Sequence, residues 1–410
     1  MQFIEGGPDI PDELLLALDE GRVVFFCGAG VSRAKANLPD FFGLADQVLQ
    51  TLGVLDDAPA ARILAEAREI ESRTGVPGLI SADRVFGLLE RDFLERDIER
   101  AVAMALAPRN GVDLWAHRIL LDLATTRDGV TKLVTTNFDR LFNDCGRELS
   151  AWQPPRLPDP ARPGDLNGIV YLHGRATEHY DGSEGDGFVL SSAEFGRAYL
   201  AEGWAARFFK DVIDRYCVLF VGYNADDPPV QYLLEALGKS KGALDEVYAF
   251  QAGEIDDATA RWAHKGVAAI PYNSIDCHAA LWGTLHEWSQ RAKDLEGWQA
   301  KTIELAQRGP EGLSPFQREQ VAHLVSTKEG ARKFLESDPP APATWLCVFD
   351  SAIRYSSPDV IRYGEDEGKV IDPFSYFGLS SDPAPPPVHP DDFNPQRERR
   401  QLARRRIQRV

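Results

Sequence analysis

The spacing of apolar residues changes several times along this chain, and each change marks an element. Residues 11–18 (P-D-E-L-L-L-A-L) read as a short helix with acidic residues in its first turn. Residues 23–27 (V-V-F-F-C) form a short, unbroken apolar run and read as a buried strand. From about 40 to 127 apolar residues recur at three- and four-residue spacing, as in 61–70, 84–90 and 115–124, so this block reads as mostly helical. Then the period shortens. Runs at 132–136 (K-L-V-T-T), 169–172 (I-V-Y-L), 217–221 (C-V-L-F-V) and 246–250 (E-V-Y-A-F) read as strands, and 267–270 (V-A-A-I) is a candidate for one more. Helical stretches at 193–214 and 228–237 separate several of them.

Short apolar strands alternating with helices predict the α/β class: a Rossmann-like parallel sheet with helices on both faces. The block at 40–127 is then a helical insertion beside that sheet. Sheet-like patterning fades near 290, which sets a domain over 1–290. Residues 291–410 form a C-terminal, largely helical extension. Within it, 338–343 (D-P-P-A-P-A) is a linker or turn, 345–350 (W-L-C-V-F-D) a strand or buried segment, and 383–390 extended and proline-rich. The basic stretch 397–406 (R-E-R-R-Q-L-A-R-R-R) carries a helical pattern to the end, which suggests a longer natural protein or a tail ordered by a partner. Two loops stand out nearer the strands. The proline-rich segment 152–165 is a candidate rim of a site, and the acidic, glycine-rich 179–187 is either a mobile lid or a plain surface loop.

Composition narrows the function classes. Of 410 residues, 44% are hydrophobic and 26% charged, enough for a large core. The net charge of −18 disfavours bulk attraction to nucleic acid or anionic membrane, leaving the basic tail as a local exception. The five cysteines are scattered without a C-x-x-C pair, so a zinc ribbon is not expected. The apolar settings of Cys27, Cys217 and Cys347 point to reduced thiols and a cytoplasmic protein. No apolar stretch approaches the ~20 residues of a membrane span, and the N-terminus lacks a signal-peptide pattern.

Four strand ends carry the candidate chemistry. After the first strand comes G-A-G-V-S (28–32), where Gly28 and Gly30 allow close backbone approach and the following helix turns its N–H groups toward an anion. After the second comes T-T-N-F-D (135–139). Asn137 offers an amide that both donates and accepts, and Asp139 an acceptor or charge; an Asx turn or helix cap explains them equally. His173, followed by Gly174, ends the third and suits proton transfer near neutral pH, or simply satisfies a loop carbonyl. At 220–229 (F-V-G-Y-N-A-D-D-P-P) Gly222 permits close approach, while Asn224 and Asp226 either reach ribose hydroxyls or cap a turn. His117, inside a helix, reads as packing.

In this order the motifs G-A-G-V-S (28–32), L-P-D-F (38–41), T-T-N-F-D (135–139), L-H-G (172–174) and V-G-Y-N-A-D-D-P (221–228) resemble the sirtuin family, and more closely its bacterial sirtuin-like branch in antiphage defence proteins. The resemblance covers about residues 15–290. It implies that Ala29 and its neighbours Gly28, Gly30 and Ser32 hold the phosphates of NAD. It implies that Asp40, Phe41, Thr136, Gly222, Asn224 and Asp226 complete the NAD site. Asn137 and Asp139 would flank the nicotinamide ribose and carboxamide, and His173 would be the catalytic base. Deacylating sirtuins carry a four-cysteine zinc module that this chain lacks, and an arginine where Phe42 stands. The resemblance therefore points to NAD+ as substrate, no zinc, and hydrolysis to nicotinamide and ADP-ribose by an abortive-infection effector that a trigger activates. An NAD-dependent protein deacylase and a non-catalytic module sensing NAD or ADP-ribose are the alternatives. A homo-oligomer, and a partner such as a HerA-type ATPase, a short Argonaute or a phage protein, are further implications. Nucleic acid would enter only indirectly or through the basic tail.

Overall fold

The computed structural model describes residues 1–74, 80–162, 164–225, 227, 234 and 246–349. They fall into two compact units, Met1–Gln299 and Ala300–Val410.

The first unit is built on seven strands: β1 (Val23–Cys27), β2 (Lys132–Thr135), β3 (Ala151–Trp152), β4 (Gly168–Tyr171), β7 (Cys217–Val221), β8 (Val247–Ala252) and β9 (Ala268–Tyr272). Their order is β3-β4-β2-β1-β7-β8-β9, and every pairing is parallel. Setting aside the two-residue edge strand β3, the order runs 3-2-1-4-5-6 in sequence, the doubly wound arrangement. The chain reverses direction across the sheet between β1 and β7, and ligands of such folds bind outside the strand carboxyl ends at that point.

β1 is apolar on both faces because both are covered. Val23, Phe25 and Cys27 pack with α1 (Asp12–Asp19), α7 (Trp115–Ala124) and α11 (Ile275–Lys293). Val24 and Phe26 pack with α8 (Ser192–Gly196), α9 (Trp204–Ile213) and α10 (Ile255–Ala263). Each fully buried phenylalanine here contributes roughly 1.5–3 kcal/mol. Register fixes the strand ends: Cys27 lies beside Thr135 and Val221, and Thr135 beside Tyr171. Four glycine-rich or polar turns therefore leave the sheet at one level.

The helices α2 (Ala29–Ala36), α3 (Phe41–Thr51), α4 (Pro59–Thr74), α5 (Asp83–Asp92) and α6 (Glu95–Ala105) follow β1. α3 to α6 share a core of their own with Phe138, Leu141 and Phe188. The expected insertion over 40–127 is thus two things, because α7 belongs to the sheet-facing core. Two further corrections concern loops. The 179–187 segment is neither lid nor plain loop: it contains β6 (Ser183–Glu184), which pairs antiparallel with β5 (Arg175–Ala176). Glu184 accepts from Arg140 Nη1 at 2.5 Å and is paired with Arg175, so two guanidinium groups pin that hairpin. The 193–214 helix is broken by a π-helical turn at Arg197–Ala201 and by Gly203 at φ +62°. The helix expected at 228–237 lies outside the described residues.

The second unit, described for residues 300–349, contains the end of α12 (Leu295–Gln307), α13 (Pro315–Ser326), α14 (Lys328–Leu335) and α15 (Leu346–Phe349). Of the segment expected as a strand or buried run at 345–350, the described residues 345–349 form a turn and short helix. Trp345 is buried in it, donating its indole N–H to the Ala306 carbonyl at 2.7 Å. The proline-rich and basic stretches after 349 lie outside the described residues. No described helix is long and apolar enough to cross a membrane.

Candidate active site

The glycines of G-A-G-V-S answer first to the neighbouring strand turn. A Cβ on Gly28 would come within 2.7 Å of the Gly222 carbonyl and the Tyr223 ring, and one on Gly30 within 2.9 Å of Gly222. Gly222 itself sits at φ +76°, where a Cβ would meet the Val31 nitrogen at 2.7 Å. The N–H groups of Gly28 and Gly30 donate to Val221 and Gly222 carbonyls, each at 2.9 Å, and that of Val31 to Gly28 at 3.1 Å. At the start of α2 the Ala29 N–H has no protein acceptor among the described residues. It is half-buried and lies at the positive end of the helix.

Asn137 is buried one residue beyond the Thr136 turn, and its backbone N–H donates to Thr135 Oγ1 at 3.0 Å. Its Nδ2 donates to the Gly28 carbonyl and to Ser32 Oγ, both at 3.1 Å. A carbonyl can only accept, so this pairing fixes which end of the carboxamide points inward. Both amide hydrogens are used there, and the side chain presents Oδ1 as an acceptor.

Ser32 is the hub of a cluster that sequence spacing did not reveal. Its hydroxyl donates to Asp139 Oδ2 at 2.8 Å and lies 3.2 Å from His117 Nε2. Asp139 also accepts from the Leu141 N–H at 3.1 Å, so the Asx-turn reading and membership of the site both hold. Burial pushes the Asp139 carboxyl up to about 6, against the lowering effect of the Ser32 and Leu141 donors. His117, expected to be packing, does pack edge-on against Phe142 at 4.8 Å, but it is also the third partner of Ser32. Burial pushes its imidazole down to about 4.

His173 lies in the turn two residues beyond β4, next to this cluster: Leu172 N–H donates to the Thr135 carbonyl, and Ala176 N–H to the Phe138 carbonyl. Gly174 follows at φ +92°, packed so closely that a Cβ would overlap the Gly187 carbonyl. The His173 ring, however, turns to the other covered face. Its Nε2 is 2.6 Å from Tyr199 OH, and Phe195 and Tyr199 both meet it edge-on at 5.2 and 5.8 Å. Burial alone pushes this imidazole down to about 3, so it is neutral. Thr136 joins the same side, with its hydroxyl 2.9 Å from Tyr223 OH, which donates to the Cys27 carbonyl at 3.1 Å.

Other expected residues fall elsewhere. Asp40 caps α3 by accepting from the Gly43 N–H at 2.8 Å and pairs with Arg33 at 3.2 Å. Phe41 stacks on Phe86 at 5.4 Å, joining the insertion core to the sheet. Asn224 N–H donates to Asp227 Oδ2 at 2.7 Å, the capping turn, while its buried Oδ1 has no partner among the described residues. That bare acceptor lies two residues beyond Gly222 in the turn after β7. Asp226 lies outside the described residues. A cavity of about 240 Å³ is lined among others by Pro154, Val189, Glu194 and Arg197 and by none of the candidate site residues, so Pro154 borders a different hollow from the one expected.

Tyr199 and Tyr223 were not singled out from sequence, and His117 reads there only as packing. Nothing in their local spacing separates them from core residues, because their partners are distant in the chain. Among the described residues, no three His, Cys, Asp or Glu side chains are grouped to hold a metal ion.

Residues 131–270, from the start of β2 into β9, match the family described as a SIR2-like domain. The uncharacterized protein y4cA of Sinorhizobium fredii (strain NBRC 101917 / NGR234) is 33% identical over 298 residues. That stretch is 68% of this chain and 23% of the relative, so the match spans about a quarter of that protein's length. A SIR2-like domain implies NAD binding, and the strand-end geometry is consistent with an NAD-utilizing enzyme. Motifs, sheet order and family match together support a sirtuin-like family for this chain.

Proposed function

We propose that the protein is an NAD+ glycohydrolase. The observation that carries this reading is the carboxamide of Asn137. It is held from behind by Gly28 and Ser32 with its oxygen presented, at the β1/β2 strand ends and one strand from His173. In the reaction the bond between ribose C1′ and the nicotinamide nitrogen breaks, and its electron pair neutralises the cationic ring. Water adds to C1′, and its surplus proton leaves to a base. The centre passes through an oxocarbenium-like state, as in other glycosidic cleavages. Asn137 Oδ1 would accept a hydrogen from the water or a ribose hydroxyl. Asp139, ionised above about pH 6, would favour the developing positive charge. His173, neutral, would take the proton only after its ring is released from Tyr199 and turned toward the Asn137 side.

The closure of Tyr199 over His173 supports a resting state of low activity, which suits an effector that depletes NAD+ only after a trigger. The infection role, the oligomer and the activating partner follow from the family resemblance. The test is NAD+ consumption and product identification for wild type, His173→Ala and Asn137→Ala, with and without phage lysate. Nicotinamide and ADP-ribose from the wild type, and a loss of at least ~10²-fold in each variant, are expected. Undiminished turnover in both variants defeats the assignment. Nicotinamide release only with an acylated peptide moves it to deacylation, and binding without turnover moves it to sensing.

A further inference from the structure

His117 lies outside every motif quoted above, yet it reaches the centre of the proposed site. Hydrogen counting decides its part. The Ser32 hydroxyl has one hydrogen and meets three partners. Asn137 Nδ2 can only donate to it, and the Asp139 carboxylate can only accept from it. With the single hydrogen directed at Asp139, the remaining contact at 3.2 Å requires the imidazole to donate. His117 is therefore the Nε2–H tautomer, which leaves Nδ1 as a bare lone pair. Nδ1 is indeed buried with no partner among the described residues. The ring is fully buried and braced by Phe142, so it cannot swing to satisfy that nitrogen elsewhere.

We infer that His117 is a positioning residue: its Nε2–H holds the Ser32 hydroxyl toward Asp139, and the serine oxygen in turn keeps Asn137 with Oδ1 outward. The imidazole touches no reacting atom. Its effect on rate rests on the glycohydrolase reading; its effect on the Asn137 amide does not. Losing the donor leaves Ser32 free to rotate, and the carboxamide then samples orientations in which its NH2 faces the site.

Two replacements separate geometry from folding. His117→Phe fills the volume without a donor. His117→Gln returns an amide N–H at about the place of Nε2. For NAD+ hydrolysis we expect kcat to fall about five- to tenfold in His117→Phe with KM unchanged, the size of one hydrogen bond, and to return within about twofold in His117→Gln. Nitrogen-15 spectra of the imidazoles should show His117 with Nε2 protonated and Nδ1 bare. The Asn137 side-chain amide hydrogens should be protected from exchange in wild type and His117→Gln but not in His117→Phe. Full kcat in His117→Phe, or no recovery in His117→Gln, overturns the role. If the wild type turns over no NAD+, the function reading fails and the spectra alone judge the positioning. An Nδ1-protonated His117, or unchanged Asn137 amide protection in His117→Phe, overturns it; the expected pattern sustains it.

Discussion

Two buried polar networks leave the same sheet edge, one toward each face, and they are built differently. On the α7 side, Ser32, Asn137, Asp139 and His117 surround a single hydroxyl with an amide, a carboxylate and an imidazole. On the α8 and α9 side, His173 pairs with Tyr199 and Thr136 with Tyr223 through neutral imidazole, phenol and hydroxyl contacts. The first contains a buried charge, so each member is constrained by the need to satisfy it. The second contains none, and its key contact comes from a π-helical turn bounded by a left-handed glycine. A π-turn inside a helix is a frequent mark of a functional site. We read the first network as set and the second as able to open.

The sharpest way to break this contrast is to delete one hydroxyl on each side. Ser32→Ala strands the Asp139 carboxylate with one donor and leaves Asn137 and His117 without their shared partner. A loss of about 3 kcal/mol is expected from a urea unfolding curve. A loss below 1 kcal/mol would remove the distinction.

Acidification tests both networks together. Burial holds His173 and His117 neutral in the fold, with values pushed down to about 3 and about 4 from 6.5. The unfolded chain takes up those protons near 6.5 and the folded chain does not, so stability falls as pH drops below 6.5. Asp139 acts in the opposite sense. Its value is raised to about 6 from 3.8, so the folded chain takes up that proton first and stability rises between 6 and 3.8. From pH 7.5 to 5 a net loss of roughly 2–3 kcal/mol is expected. His173→Phe should remove most of it, because the remaining His117 and Asp139 shifts nearly offset. An unchanged acid loss in that variant would contradict the neutral, buried His173.

The smallest effect is expected from Tyr199→Phe. It keeps the ring packing and removes one neutral hydrogen bond, costing about 1 kcal/mol in thermal unfolding. If Tyr199 holds His173 in the resting state, untriggered NAD+ hydrolysis should rise about fivefold. A fall instead would make Tyr199 a helper of His173 rather than its cover.

Much of the architecture was legible along the chain. The apolar runs at 23–27 and 217–221 coincide with β1 and β7, that at 132–136 runs one residue past β2, and that at 169–172 is offset from β4 by one residue at each end. The reason is that buried parallel strands need apolar side chains on both faces, a local signal. The two-residue β3 and the β5–β6 hairpin were not legible. They are too short to show a period, and Arg140, Arg175 and Glu184, which fix the hairpin, are spread over forty-five residues. The break in the 193–214 helix was missed as well, since G-R-A-Y-L is a plausible helical sequence whose winding responds to what Tyr199 meets.

For the site, sequence alone determined that glycine turns, Asn137, Asp139 and His173 stand at strand ends, because chain order and strand length settle which residues leave a sheet. Only the tertiary structure decided which way those side chains face. It tied the Gly28 and Gly30 backbone to Gly222, made Asp40 a cap, turned Asn137 to one face and His173 to the other, and brought in His117 from a helix. A hydrogen bond is a relation between two positions, and, the Asp40 cap aside, those positions here lie from 26 to more than 100 residues apart; a linear pattern carries the donors and acceptors but not their pairing.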